Sequence, residues 1–316
     1  MSVLQAYGMG WRRLWQNRPY WGLFFALNFG LALTTAASLT AFLGKNAAHS
    51  LSISDSLTAS PYPFLSALTS QFASDLDFFQ YQSVGVALVF FLLQIWLLGG
   101  WLNHLREEAT GVARWGFWGG AARYFWRTFR LAAYFAVIQG ALLWAFVKLG
   151  ASIAKDFSIL ELWSEFDFLH ALWWLLPLYL LFSVSISLWH DYAKIHTVYR
   201  DRAWLTRPVV ESTRLCFKYF GRFFSLYALN LFTLAAVCAI YGMIANSIPA
   251  HSMAGIVLLF LWGQLLLLLR IGLKLANLAA ADYLYRQVSD WNAAAPTTEG
   301  ITQRYNDVFN PKAEAL

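Results

Sequence analysis

The chain has 316 residues, of which 59% are hydrophobic and only 13% charged, and its formal net charge is +6. A water-soluble domain of this length would expose too much apolar surface, so the composition excludes an ordinary globular protein. The mean hydropathy of +0.49 and apolar blocks of about 20 residues or more indicate an all-α polytopic membrane protein instead.

Charge-free windows predict six transmembrane helices, near 21–43, 83–103, 130–150, 170–189, 223–246 and 253–274. Together they form one transmembrane domain over residues 1–290. Segments 44–82 and 151–169 are predicted to carry short amphipathic helices on the outer face. The remaining residues, 291–316, are predicted to form a flexible cytoplasmic tail with one short helix.

The basic residues predict the orientation of these spans. All but three of the 23 Lys and Arg residues fall on one side, and the exceptions are Lys45, Lys148 and Lys155. Both termini are therefore expected in the cytoplasm. Because the positive charge is confined to one membrane face, it favours contact with anionic lipid headgroups and argues against nucleic-acid binding.

A short segment rich in aromatic residues recurs three times, and each copy precedes an apolar run. The three copies are marked by Tyr20 and Trp21, by Tyr124, Phe125 and Arg127, and by Tyr219, Phe220 and Arg222. Each predicts an elbow, where an amphipathic helix in the membrane interface bends into an odd-numbered span. The spacing predicts three parallel two-helix repeats, about 1–103, 104–190 and 191–290; chance recurrence in an aromatic-rich chain is the alternative.

The first interfacial helix is predicted over residues 2–18, with an apolar face at helical spacing. That face comprises Leu4, Tyr7, Trp11, Leu14 and Trp15. Pro19 is expected to end the helix, and Pro208 to open the third interfacial helix. The pairs Gly99-Gly100 and Gly119-Gly120 are typical of close helix packing or of a bend.

Polar side chains inside the spans are the candidates for function, because burying them in lipid is costly. Gln94, Gln139 and Gln264 lie near mid-span and suggest a shared polar site, with interhelical hydrogen bonding as the simpler interpretation. Arg270 and Lys274 lie one turn apart on the sixth span. Both could snorkel to the cytoplasmic headgroups, or they could form an anion or lipid-headgroup site.

The sequence contains no catalytic motif, so neither a catalytic residue nor a metal site nor a cofactor is predicted. His190, Asp191 and His196 are the only residues that suggest an enzyme. Their spacing suits no common helical pair of metal ligands, and ion pairing between helix ends explains them more simply.

Asp191-Tyr192-Ala193-Lys194, followed by a basic helix and an elbow into a span, resembles a pattern in uncharacterised bacterial multi-span proteins. Among these is the membrane domain attached to some glycerophosphodiester phosphodiesterases. The resemblance covers about residues 90–290 and implies a six-helix protein of the bacterial inner membrane. It implies no activity, because this sequence shows no phosphodiesterase domain.

Three functions follow from these patterns. The leading hypothesis is a non-enzymatic scaffold, anchor or accessory subunit, whose cytoplasmic interfacial helices contact anionic lipid or a protein partner in a membrane complex. The alternative is a transporter or channel for a small solute with a polar midplane site. An open polar cavity between the helices would favour transport, and a dry, tightly packed interior would favour the scaffold. A membrane enzyme is the third hypothesis.

Overall fold

The computed structural model describes residues 2–47, 73–111, 115–158, 173–201, 206–248 and 252–289. Every regular element in these ranges is a helix, which confirms the all-α class. The helices are α1 (Val3–Gln16), α2 (Arg18–Ala47), α3 (Ala73–Thr110), α4 (Gly116–Ser158), α5 (Leu175–Arg200), α6 (Thr206–Lys218), α7 (Phe220–Ser247) and α8 (Met253–Val288). The predicted tail helix and most of the two outer-face segments lie outside the described residues.

Five of these helices are long and apolar enough to cross a membrane. Their apolar parts are Arg18–Ser38, Tyr81–Thr110, Gly116–Ile153, Phe220–Ser247 and Met253–Val288. At most 28% of the most apolar stretch in any of them is buried within the chain, so most of its side chains face an apolar surrounding. The predicted fourth span is not among the five, because described α5 begins only at Leu175 and becomes polar from His190 onward.

The chain breaks at two of the three predicted elbows. α1 ends at Gln16 and α2 begins at Arg18, with Pro19 in its first turn, where a missing N–H is tolerated. α6 likewise ends at Lys218, and α7 begins at Phe220. The predicted break at Tyr124 is wrong: α4 is continuous from Gly116 to Ser158, a segment that contains no proline.

The buried core lies at one end of the bundle, which we call the packed end. The largest side chains there are fully buried: Trp101, Tyr124, Tyr192, Tyr199, Phe223 and Tyr285. They come from the ends of long helices, and the short helices α1 and α6 complete the core. Away from this end the same long helices carry mostly exposed apolar residues, as expected where lipid takes the place of protein contacts.

α1 packs on α8 through its smallest residues. Its buried residues are Ala6, Gly10, Arg13 and Leu14, whereas Leu4 and Trp15 are 69% and 62% exposed. A Cβ atom on Gly10 would lie 2.3 Å from the carbonyl oxygen of Ala276, so only glycine permits this approach. Small residues thus make the contact with α8, because they bring two helices closer than large ones do, and the predicted apolar face of α1 is only partly covered by protein.

α3 and α4 form a tight antiparallel pair. Cβ atoms on Gly100 and Gly120 would lie 2.8 Å from the carbonyl oxygen of Phe117 and 2.4 Å from the Cβ of Asn103, which confirms these two glycines as close-packing points. The Glu107 carboxylate accepts hydrogen bonds from the backbone N–H groups of Trp115 (2.6 Å) and Gly116 (3.2 Å). It thereby satisfies donors at the start of α4.

A buried ionic cluster fixes α1 to α8. The Asp282 carboxylate is fully buried and lies 3.1 Å from guanidinium nitrogens of both Arg13 and Arg286. Glu108 of α3 is 4.0 Å from Arg13 at the edge of the same cluster. Arg13 and Asp282 are 269 residues apart in the chain, so this ion pair ties α1 to α8, and Arg286 adds a second cation beside the same buried anion.

Candidate ligand-binding cavity

A cavity of about 690 Å³ lies between α2, α3, α7 and α8, next to the packed end. Its volume falls within the range of roughly 300–1,000 Å³ typical of small-molecule sites. Residues of all four helices line it, from Phe24 on α2 to Asn277 on α8, and Asp191 of α5 completes the lining.

Arg270 and Lys274 both line this cavity and are exposed to it. Neither has a carboxylate within ion-pairing distance in the part of the chain that the structure describes. They lie one turn apart on α8, so the two positive charges converge on the same space. Arg270 and Lys274 therefore face a cavity, which is an alternative to snorkelling toward the headgroups.

The wall near these cations is polar. Asp191 lines it and is held by Lys194 Nζ at 2.9 Å and by the Tyr227 hydroxyl, which donates at 2.8 Å. Asn277 also lines it and is only 5% exposed, and its buried Oδ1 has no partner among the described residues. The Oδ1 of Asn230 is in the same situation. Buried amides in folded proteins are usually hydrogen-bonded, so these two side chains beside the cations can bond to a ligand or to water.

The opposite part of the cavity is mostly apolar. Leu31, Ala32, Val86, Ala87 and Leu234 line it, together with the hydroxyls of Thr35 and Ser83. From Phe24 to Thr35 on α2, and from Ser83 to Gln94 on α3, the lining covers about 16 Å along each helix axis. The cavity is thus elongated, with its charges at the packed end and neutral walls beyond.

The three glutamines do not converge on one site. Gln94 lines the cavity, near its cationic end. Gln139 instead donates from Nε2 to the Ser183 hydroxyl at 2.5 Å and joins α4 to α5. Gln264 does not line the cavity, and its buried Oε1 has no partner among the described residues.

His190, Asp191 and His196 also face different surroundings. His190 stacks on Phe135 with ring centroids 4.7 Å apart. His196 bonds through Nδ1 to the Tyr285 hydroxyl and through Nε2 to Glu211, each at 2.8 Å. The two histidines therefore serve helix packing, whereas Asp191 lines the cavity, and the described part of the chain holds no cluster of three metal-ligating side chains.

The elbow residues have unequal roles. Tyr20 is partly buried and stacks on Phe117 at 4.4 Å, and Trp21 donates to the carbonyl oxygen of Leu268 at 3.0 Å. Tyr124 is fully buried, and its hydroxyl accepts a 2.7 Å hydrogen bond from Arg106. At the third elbow, Phe220 and Arg222 are exposed, and Tyr219 occupies the break between α6 and α7.

Arg127 belongs to a second ionic link, between α4 and the end of α5. Asp201 closes α5 in a left-handed conformation with φ of 49°, and its carboxylate lies 2.6 Å from Arg123 and 2.5 Å from Arg127. Partial burial by itself raises the pKa of Asp201, but hydrogen bonds from both arginines outweigh it and hold the pKa below its ordinary value. The link is therefore fully formed above about pH 4 and is lost as pH falls through the lowered pKa.

We expect Arg127→Glu to destabilise the fold by roughly 1.5–3 kcal/mol, because it removes a charge-assisted hydrogen bond and places two carboxylates together. Arg222→Glu is the matched control, since Arg222 is exposed at the corresponding elbow and should change stability little. Heat unfolding of both variants in detergent measures the difference. Equal destabilisation by the two substitutions would show that the Asp201 link contributes nothing specific.

The sequence places Asn277 near the same face of the sixth span as Arg270 and Lys274, because it follows Lys274 by three residues on α8. It also marks Asn230 as polar within a span and Asp191 as a helix-end residue, but assigns neither to this site. Asn230 and Asp191 could be placed only once the neighbouring helices were known.

No protein-family model, no curated protein and no solved structure matches this chain. The resemblance to bacterial multi-span proteins therefore stays a prediction, and the function must be argued from the cavity itself.

Proposed function

We propose that this protein binds a small anionic ligand in the cavity between α2, α3, α7 and α8, as a membrane transporter or ligand-binding membrane protein. The observation that carries the proposal is that Arg270 and Lys274 share one cavity and neither forms an ion pair among the described residues, since Asp191 in the same wall is paired with Lys194. Among the hypotheses drawn from the sequence, this is the transporter hypothesis, which an open polar cavity favours.

The cost of charge in an apolar surrounding supports this assignment. An arginine or lysine at the centre of a membrane helix costs about 2.5–3.5 kcal/mol, and two like charges one turn apart add repulsion. Water in the cavity lowers that cost, and a bound anion lowers it further. Structural cations would instead be expected beside acidic partners, as Arg13 and Arg127 are.

The proposal also covers the number of spans, their orientation in the membrane and the three repeats. With α5 as a fourth crossing, the chain has six spans, and both termini lie on the packed side of the membrane, where the basic residues concentrate. We take that side as the cytoplasm and the membrane as the bacterial inner membrane. Separate short helices ahead of α2 and α7, but not ahead of the span in α4, give the three-repeat arrangement partial support.

A scaffold or accessory role is the second candidate, and one observation favours it. The outer faces of α1 and α6 expose Trp15 at 62% and Phe217 at 79%. Such residues suit an interface with headgroups or with a protein partner. Isolation of the native complex in mild detergent tests this role, since a protein recovered alone would count against an accessory subunit.

Thiol labelling tests the cavity directly. Ala32→Cys places a thiol on the cavity wall in a Cys238→Ser background; the native Cys216 is only 6% exposed and should stay unreactive. We expect an anionic methanethiosulfonate to label this thiol roughly tenfold faster than a cationic one, equivalent to about 1.4 kcal/mol, after correction for their rates with a free thiol.

Two controls complete the experiment. Arg270→Gln combined with Lys274→Gln should abolish the preference for the anionic reagent. Val84→Cys, which is 65% exposed on the outside of α3 and does not line the cavity, should resist both reagents in a bilayer. Equal rates for the two reagents at Ala32→Cys, or no labelling, would overturn the proposed function.

A further inference from the structure

We infer that the ligand is an anionic amphiphile, with its charged head at Arg270 and Lys274 and its apolar chain between α2, α3 and α7. The inference rests on the proposed function and names the chemical class that the cavity fits. It depends on three features of the cavity: the uneven distribution of charge, the elongated shape and the unpartnered amides beside the cations.

The charge is confined to one end. Arg270, Lys274 and Asp191 line the part of the cavity next to the packed end, and the remaining lining residues carry no charge. A small hydrophilic solute that is bound on all sides needs polar partners around it, because each unsatisfied polar group is costly. Here the charged partners lie on one side only, and the other part offers few polar groups, Thr35 and Ser83 among them, so the ligand should be charged at one end and mostly apolar beyond it.

The rest of the cavity favours an alkyl chain. Leu31, Val86, Ala87 and Leu234 form a neutral wall in the part of the cavity away from Arg270 and Lys274. Burial of a methylene group against such a wall contributes about 0.8 kcal/mol relative to water. A chain in this position would also cover the apolar side chains that line the cavity.

The amides define the head more closely. Asn277 is buried and lacks a partner for its Oδ1 among the described residues, and Asn230 lines the same cavity in the same state. An amide can present either its oxygen or its nitrogen after a flip, so both residues can bind the oxygens of an anionic head. Together with two cations they suit a phosphate or carboxylate that offers several acceptor oxygens.

The test uses three probes that separate head from chain: dodecyl phosphate, inorganic phosphate and dodecanol. The protein is held in phosphatidylcholine nanodiscs, and each probe competes with anionic labelling of Ala32→Cys. We expect dodecyl phosphate to slow labelling at least tenfold, inorganic phosphate to protect only at far higher concentration, and dodecanol to protect weakly. Arg270→Gln with Lys274→Gln should remove the advantage of dodecyl phosphate over dodecanol.

A wall variant and its control complete the test. Val86→Trp should fill the apolar wall and weaken protection by dodecyl phosphate, whereas Val84→Trp on the outer face of α3 should leave it unchanged. If Val86→Trp does not fold, Ala87→Leu takes its place. Equal protection by inorganic and dodecyl phosphate would overturn the amphiphile and leave the anion site intact. Absence of any charge preference in labelling would instead overturn the proposed function.

Discussion

Asp282→Asn is expected to lower the free energy of unfolding by roughly 3–5 kcal/mol, because it removes the fully buried carboxylate that lies 3.1 Å from both Arg13 and Arg286. Glu108→Gln is the matched control. It removes a carboxylate from the same cluster, but Glu108 lies 4.0 Å from Arg13 and its side chain is 35% exposed, so the loss should stay below about 1 kcal/mol.

The reactivity of the native Cys216 thiol measures this unfolding. It is buried, and burial raises the pKa of its thiol to about 12, so a maleimide fluorophore should react only on unfolding. Labelling during a heat ramp, in a Cys238→Ser background, then reports the stability of the packed end. If Asp282→Asn and Glu108→Gln shift the transition equally, the buried cluster is not what holds α1 on α8.

Gly10→Ala and Gly8→Ala are expected to change stability in opposite directions. Both glycines lie within α1, where alanine is intrinsically the better helix former by about 1 kcal/mol. A Cβ on Gly8 meets nothing within 4 Å, so Gly8→Ala should stabilise. A Cβ on Gly10 would collide with the backbone of Ala276 and with Ala280, so Gly10→Ala should destabilise by about 1–3 kcal/mol.

The opposite signs make this comparison independent of helix propensity. The same thiol-labelling assay applies, and detachment of α1 should also speed proteolysis near the N-terminus. Stabilisation by both substitutions would mean that α1 does not pack on α8 at this distance.

The composition and the charge pattern predicted the helical class and several helix ends, because both depend on local properties. Pro19 and Pro208 lie in the first turns of their helices, where a missing N–H costs nothing. The contact of α1 with α8 could not be predicted. Hydrophobicity identifies the apolar face that includes Leu4 and Trp15, whereas the contact depends on the small size of Gly10, which matters only beside α8.

The continuity of α4 and the cavity were harder to predict. The segment around Tyr124 has the composition of the other two elbows, but there the helix is unbroken and packs on α3 through Gly100 and Gly120. Arg270 and Lys274 were identified as candidates, but their surroundings depend on lining residues of α2 and α3, which are more than 170 residues away in the sequence. Periodicity along one helix contains no information about such neighbours.

The unbroken length of α4 has a practical consequence. Its 43 residues span about 64 Å, and even at a tilt of 40° the helix would extend about 49 Å along the membrane normal, against a hydrocarbon thickness of about 30 Å. Part of this unbroken helix therefore lies outside the hydrocarbon layer. A marker protein joined at its start, near Trp115, would be attached to a helix that continues into the membrane, which suits particle alignment in electron microscopy.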